Sequence, residues 1–507
     1  MIANCKSFIP LGFTASLIEI EGDKSRGLPG FNIVGMAAKT VSEARERVKS
    51  ALHSSGFSFP TEKLTINLAP ADLAKDGSYL DLAIAVNVLI LSGQLRQEDI
   101  ENSAFIGELS LSGELRPVRG IINLAEAAKT SKIKRLFIPI KNFTQASLIK
   151  NINLIPVTNL KELYLHLKGQ ALITPPQQNV VKITETDSNA PTFDQVRGQE
   201  LAKRALAIAI AGHHNILLSG PPGTGKTMLA KAALNLLPPL NNAEQISVTK
   251  LHSLAGIASD SVSARPFRTP HHTSSLTALV GGGPKAEPGE ISLASSGVLF
   301  LDELPEYPRS VLESLRQPLE DRQISISRAG RKITYPADFM LVATMNPCPC
   351  GYLGDPTHPC TCSTSQIELY HKKLSGPLMD RIDIFTEVGR IEVSKLLTSI
   401  PTKATKLTTL RDSIKKALAM QSARYDDPTT FNATIPTHQI PAKLILSPTA
   451  KKLLDAAASS LDLSARSYFK VIKVARTIAD LAESVIIESA HLSEALSYRY
   501  KPAKNAL

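Results

Sequence analysis

One eight-residue stretch restricts this chain more than any other: Gly220, Pro221, Pro222, Gly223, Thr224, Gly225, Lys226 and Thr227. An apolar run, Asn215 to Ser219, precedes it and a helical pattern follows. Strand, glycine-rich turn and helix in that order form a phosphate cradle, because glycines let backbone amides wrap the anion and the helix N-terminus adds positive potential. A chain built around such a turn is committed to a parallel α/β sheet there. Lys226 is then expected on the β and γ phosphates of ATP, and Thr227 on Mg²⁺.

Three further signals complete a hydrolytic site. The apolar run Gly297 to Leu301 ends in Asp302 and Glu303, one carboxylate for the metal shell and one to polarise water. The next apolar run, Phe339 to Thr344, leads to Asn346, a neutral side chain suited to orienting that water. Charge developing on the γ phosphate calls for rigid cations, and Arg381 and Arg466 are the candidates. An arginine supplied by a neighbour would make the active form a ring.

At 507 residues the chain is expected to hold more than one core. Residues 1–170 alternate β-branched runs (Ala15 to Ile20, Leu64 to Leu68) with helical stretches such as Thr40 to His53, and read as an α/β domain. Residues 171–191, with Pro175, Pro176 and scattered polar residues, read as a linker. Residues 192–390 carry the nucleotide motifs, and 391–507 read as a helical lid, with helices over Pro448 to Leu461 and Ala465 to Ser484. The formal net charge of +11 favours a polyanionic partner. No apolar run has the length of a membrane span, and the first twenty residues lack a signal-peptide pattern, so the expected compartment is the cytoplasm.

Four of the five cysteines, Cys348, Cys350, Cys360 and Cys362, flank a loop containing Gly351, Gly354 and Pro356, enough to close a tetrahedral zinc site. Reduced or redox-active thiols are the alternative, and His358 inside the loop could replace one sulfur. Just before the Asn346 strand, Gln323 to Tyr335 alternates apolar residues around a glycine turn, the pattern of a β-hairpin. Arg328, Arg331 and Lys332 would crowd its tip, where cations can track a phosphate backbone without reading sequence.

The stretch from Phe193 through Ala482 resembles the magnesium-chelatase-like AAA+ proteins, specifically their ComM (YifB-type) branch. The phrases that carry the resemblance are Arg265-Pro-Phe-Arg-Thr-Pro-His-His272, Gly281-Gly-Gly-Pro-Lys-Ala-Glu-Pro-Gly-Glu290, Leu299-Phe-Leu-Asp-Glu-Leu-Pro305, Met345-Asn-Pro-Cys-Pro-Cys-Gly351 and Ala475-Arg-Thr-Ile-Ala-Asp-Leu481. The resemblance implies an AAA+ P-loop core with a helix-2 insert and a pre-sensor hairpin. It implies a homo-hexameric DNA helicase acting on single-stranded and branched DNA, with branch migration during natural transformation and recombination proteins as possible partners. It also implies that the segment from Arg265 to Glu290 projects toward the ring's pore, making Arg265, Arg268 and Lys285 candidate DNA contacts.

Residues Ile106 to Gly120, then an alanine-rich helix and Leu136 to Pro139, resemble the Lon protease fold. Lon cuts peptides with a serine and lysine dyad, but the matching positions here hold Tyr79 and Ile122, with Ser78 one place off. Peptide hydrolysis is therefore not expected. As in the similar domain of RadA helicases, ring assembly or guidance of nucleic acid is implied instead, with Lys24, Arg26, Arg45, Arg47, Lys49 and Lys75 as candidate basic contacts. Two rival activities stay open: a chelatase motor remodelling a partner enzyme, and a protein-remodelling or proteolytic ATPase. A DNA-binding scaffold without unwinding is the third.

Overall fold

The computed structural model describes residues 2–500 apart from 36–37, 72, 74, 76–77, 177–190, 192, 194, 259, 284–285, 329–330 and 391–404, and apart from the side chains of 38–42, 328, 331 and 405–407. Most of the expected linker thus lies outside the described residues.

The N-terminal part opens on a long hairpin, β1 (Ile2–Leu11) and β2 (Thr14–Ser25), whose register runs from Ile2 opposite Asp23 to Leu11 opposite Thr14. The sequence signal for β1 is blunted by Pro10, yet β1 is the edge of a sheet ordered β1-β2-β4-β3, and an edge tolerates a residue without an N–H. Strand β3 (Gly30–Val34), helix α1 (Ala38–Ser54) and β4 (Lys63–Ala69) make a parallel crossover, because parallel neighbours need a long connection. Helix α2 (Asp81–Leu91) is buried along its whole length, as a helix apolar on every side must be. A second, parallel sheet joins β5 (Ser103–Phe105), β6 (Arg135–Pro139) and β7 (Asn153–Val157), with α3 (Ile121–Thr130) between its first two strands and α4 (Leu160–Leu167) after the last.

Next come α5 (Glu200–Gly212), β8 (Ile216–Ser219), α6 (Lys226–Ala233) and α7 (Asn242–Leu254). The remaining strands of the central sheet are β9 (Phe267–Arg268), β10 (Val298–Leu301), β13 (Met340–Met345) and β14 (Ile384–Glu387). Their order is β9-β10-β13-β8-β14, every pair parallel. β10 and β13 are buried at every residue, the signature of strands covered on both faces. All the strands end at one edge, and the crevice beyond those ends is where such sheets bind ligands. Between β10 and β13 stand α8 (Arg316–Asp321) and the hairpin β11 (Gln323–Arg328) with β12 (Arg331–Pro336).

The C-terminal helices are α10 (Thr405–Tyr425), α11 (Pro448–Ser460), α12 (Ala465–Leu481) and α13 (Ser489–Ser497), following α9 (Thr364–Lys372) of the core. Val471, Ile472, Ala475, Ile478 and Ala479 of α12 share one apolar core with Leu206 and Ile210 of α5. The N-terminal part also docks on the central one. The turn at Gly12 and Phe13 packs on Ile333 of β12 and beneath Lys250, whose ammonium lies 4.6 Å from the Phe13 ring. Gln145 bridges Ser253 and the carbonyl of Ala258 at 2.9 Å each.

Candidate active site

The phosphate loop leaves β8 at Gly220 with no space for a side chain, since a Cβ there would stand 2.2 Å from the Val388 carbonyl oxygen. Gly223 (φ +75) and Gly225 (φ +83) take the left-handed conformation that glycine alone adopts at little cost, and Gly225 caps α6. Lys226 is buried. Its ammonium donates to the carbonyls of Gly220 at 2.6 Å and Pro221 at 2.9 Å, and to Oδ1 of Asn346 at 3.1 Å. Burial lowers its pKa while the Asp302 and Glu303 carboxylates oppose that shift. All three N–H donors rest on neutral oxygens, so a phosphate that takes the place of one of them would give the ammonium an anionic acceptor.

At the end of β10, Asp302 accepts from the hydroxyl of Thr227 at 3.0 Å and from that of Thr344. A hydroxyl and a carboxylate so joined are the hard oxygen donors that suit Mg²⁺. Glu303 is exposed beside them with φ +53, and its N–H donates to Thr344 Oγ1 at 3.0 Å. A left-handed non-glycine residue is strained, and such strain concentrates where a side chain must be aimed. Thr344 therefore anchors both acidic residues, a role the sequence signalled only as one hydroxyl within an apolar strand. Lys226, Thr227, Asp302, Glu303 and Asn346 are thus brought together at the C-terminal edge of the sheet.

Arg381 and Arg466 are not part of that group. Both donate to Glu320 of α8, Arg466 at 2.6 Å.

The four cysteines converge. Cys348 Sγ lies 3.3 Å from Cys350 and 3.6 Å from Cys360, and all four sulfurs fall within 4.8 Å of one another. A tetrahedral zinc with 2.3 Å bonds sets its sulfurs about 3.8 Å apart, so the residues fit the ion. Burial resists ionisation of Cys350, but hydrogen bonds from the Tyr352 and Thr361 backbone and from the thiols of Cys348 and Cys362 bring it down to about 5. His358 stays outside this set, stacked on Tyr352 at 5.2 Å and bonded to Thr357.

The hairpin ladder ends on the pair Arg328 and Arg331, with Lys332 exposed beside them; residues 329–330 and the side chains of the two arginines lie outside the described set. Of the other candidate nucleic-acid residues, Lys285 is outside the described residues. Arg265 is nearly buried and spends its donors on Glu244 at 2.9 Å, Ser296 O at 2.6 Å and Pro238 O at 2.6 Å, while Arg268 holds Glu290 through two bonds of 2.6 and 2.7 Å. Both therefore brace the insert from inside the subunit, and neither presents a free guanidinium to a phosphate.

In the N-terminal part, Tyr79 and Ile122 are packed among apolar residues, and Ser78 donates to the Glu108 carboxylate. Lys75 is buried and donates to the carbonyls of Pro70 and Leu73, the latter at 3.2 Å. Arg47 is held by the buried Asp81 at 2.7 Å, and Lys24 by Glu62 at 3.2 Å. Burial of Lys75 and pairing of Arg47 take those two out of an open basic surface.

The family model described as "Magnesium chelatase, subunit ChlI" matches residues 192–396, and "Magnesium chelatase, subunit ChlI C-terminal" matches 405–499. The "Competence protein ComM" of Haemophilus influenzae is 43% identical over 495 residues, 96% of each chain. The chain belongs to the ComM/YifB family of magnesium-chelatase-like AAA+ ATPases. YifB of Salmonella typhimurium is 42% identical over 96% of this chain and 95% of its own. The likeness to true chelatase subunits is narrower: the 38 kDa subunit of Cereibacter sphaeroides is 26% identical over 31% of this chain and 52% of its own. Within residues 1–170, the segment expected to resemble Lon, residues 20–142 match a model described as "Subunit ChlI of Mg-chelatase". Among the described residues no helix is long and apolar enough to cross a membrane.

Proposed function

We propose that this chain is the subunit of a hexameric ATPase ring that moves along DNA and drives branch migration during recombination in natural transformation. The observation that carries this reading is the hairpin β11–β12, inserted between the Asp302–Glu303 strand and the Asn346 strand, with its ladder closing on Arg328 and Arg331 beside the exposed Lys332. Cations on a two-stranded arm bind phosphate backbones irrespective of sequence. Ile324 at the arm's base packs in one core with Leu299, Leu301 and Leu341 of the strands that lead to the hydrolytic residues, so those strands connect nucleotide turnover to the arm. The relative named for competence supports the biological setting.

In this reading Lys226 and the amides of residues 220–227 hold the phosphates, and Thr227 with Asp302 would hold Mg²⁺, which would supply positive charge against them. Glu303 accepts a proton from the attacking water, Asn346 orients that water, and Arg381 and Arg466 meet the developing charge. Cys348, Cys350, Cys360 and Cys362 hold a zinc ion that supplies only structural cross-linking.

ATP turnover with and without single-stranded and branched DNA tests the reading, comparing the natural chain with Arg328→Ala/Arg331→Ala/Lys332→Ala. Stimulation that the triple variant loses is expected. The chelatase descriptions of the matching family models favour a second reading, remodelling of a protein partner. Intact basal turnover that no DNA stimulates would replace the first reading with the second.

A further inference from the structure

Glu320 accepts from both candidate arginines at once: Oε1 from Nη2 of Arg466 at 2.6 Å, and Oε2 from Nη2 of Arg381. Three segments remote in sequence meet at this carboxylate: α8, the residues just before β14, and the first turn of α12. Two guanidinium groups on one carboxylate leave a net positive charge. The set is also incompletely bonded, because Arg381 Nε is buried with no acceptor while its Nη1 takes the Pro377 carbonyl at 2.7 Å.

The sheet fixes where this set lies. β8 and β14 run parallel, Ile216 opposite Ile384 and Ser219 opposite Glu387. Arg381 precedes β14, and its carbonyl accepts from Asn215 Nδ2 at 2.9 Å, ahead of the start of β8. The phosphate loop begins at the other end of the same strand. Four residues of strand span about 13 Å, so both arginines sit at the edge opposite Lys226 and cannot reach phosphates held by their own subunit. Arg466 and Glu320 face outward, with side chains 43% and 47% exposed, while Arg381 is mostly covered, its side chain 14% exposed. The cavity of about 300 Å³ behind them is lined by Lys470 and Lys473, but these donate to the carbonyls of Ile382 at 2.7 Å and Ala433 at 3.0 Å, and so pin α12 to the core.

We propose that Glu320 is a positioning residue for hydrolysis in the adjoining subunit: it holds Arg381 and Arg466 side by side, so that both meet the nucleotide of the neighbouring copy together. The proposal rests on the ring-ATPase reading. Cations act on a transition state when they are fixed before charge develops, and like charges hold one place only when an anion offsets their repulsion. Glu320 is that anion.

The test is ATP turnover of Glu320→Gln, which keeps the side chain's shape and removes its charge. A fall of about tenfold or more in kcat is expected, with nucleotide affinity and ring assembly unchanged and with Glu320→Asp recovering part of the loss. Subunit mixing locates the defect. Glu303→Gln lacks hydrolysis at its own site but offers intact arginines, so mixing it with Glu320→Gln is expected to raise turnover above that of either variant alone. A control mixture of Glu303→Gln with Arg381→Ala tests the ring itself. Recovery in the control but not with Glu320→Gln, or an unchanged kcat in Glu320→Gln, overturns the role of Glu320. No recovery in either mixture overturns the ring reading on which the role depends.

Discussion

Gly351 lies against Pro222: a Cβ on Gly351, which has φ +85, would stand 2.7 Å from Cδ of the proline. The four-cysteine loop is therefore packed on the phosphate loop, and it begins two residues after Asn346. His371 fastens the connection from outside, Nε2 to the Pro347 carbonyl at 3.1 Å. Gly351→Ala would combine left-handed strain of about 1 kcal/mol with overlap against Pro222.

If the four cysteines hold zinc as proposed, its removal is expected to loosen Pro222 and Asn346 together. One zinc per chain by elemental analysis, its loss in Cys360→Ser, and a parallel fall in kcat of about tenfold are the expected outcomes, since groups that orient a site's residues carry effects of that order. Full turnover by the zinc-free protein would separate the loop from the nucleotide site.

Lys226 and Glu303 predict different failures. Lys226→Ala removes the cation on the phosphates, so a fluorescent nucleotide should no longer bind at micromolar protein. Glu303→Gln keeps the shape and the Thr344 anchor, so binding should persist while turnover drops by about a hundredfold or more. Equal loss of binding in both would mean that Glu303 supports the loop rather than the water.

The convergence of the hydrolytic residues was legible because Asp302, Glu303 and Asn346 follow the ends of apolar strands, Lys226 follows the glycine-rich turn after another, and parallel strands deliver their ends to one edge. Thr344, Glu320 and the Gly351 contact were not: each depends on which remote segment packs alongside, and nothing in local spacing records it. Arg265 and Arg268 were candidates through the resemblance of their insert, and local spacing records nothing of Glu244 and Glu290, 21 and 22 residues away along the chain, which hold them in three dimensions. Strand β1 was obscured by Pro10, because periodicity cannot tell an edge strand from a loop.

Asp480 predicts the stability of the C-terminal helices. It is fully buried, accepting from Arg424 at 3.0 Å, Arg476 at 3.1 Å and Asn432 at 2.8 Å. The phrase Ala475 to Leu481 thus encodes an internal ion network, continued through Thr477 to His214 at 2.8 Å. Asp480→Ala leaves two arginines without their anion, and a loss of about 3–5 kcal/mol in chemical denaturation is expected. A smaller loss on replacing all three charges with apolar residues would show that the cost lies in the orphaned cations.

His213 predicts an acid limit. Its ring stacks on Phe431 at 4.8 Å, and burial lowers its pKa to about 4, with Asp338 opposing and Arg322, Arg265 and His214 adding to the shift. The unfolded chain protonates this group near its ordinary value of about 6.5, so between that pH and about 4 the unfolded state binds more protons. Stability from His213 is complete above about pH 6.5 and is lost as the pH falls toward 4, by up to about 3 kcal/mol. His213→Asn cannot titrate and accepts the left-handed backbone at φ +59. The natural chain should therefore lose more stability than the variant between pH 7.5 and 5 in paired denaturation curves; equal losses would place the acid limit on another group.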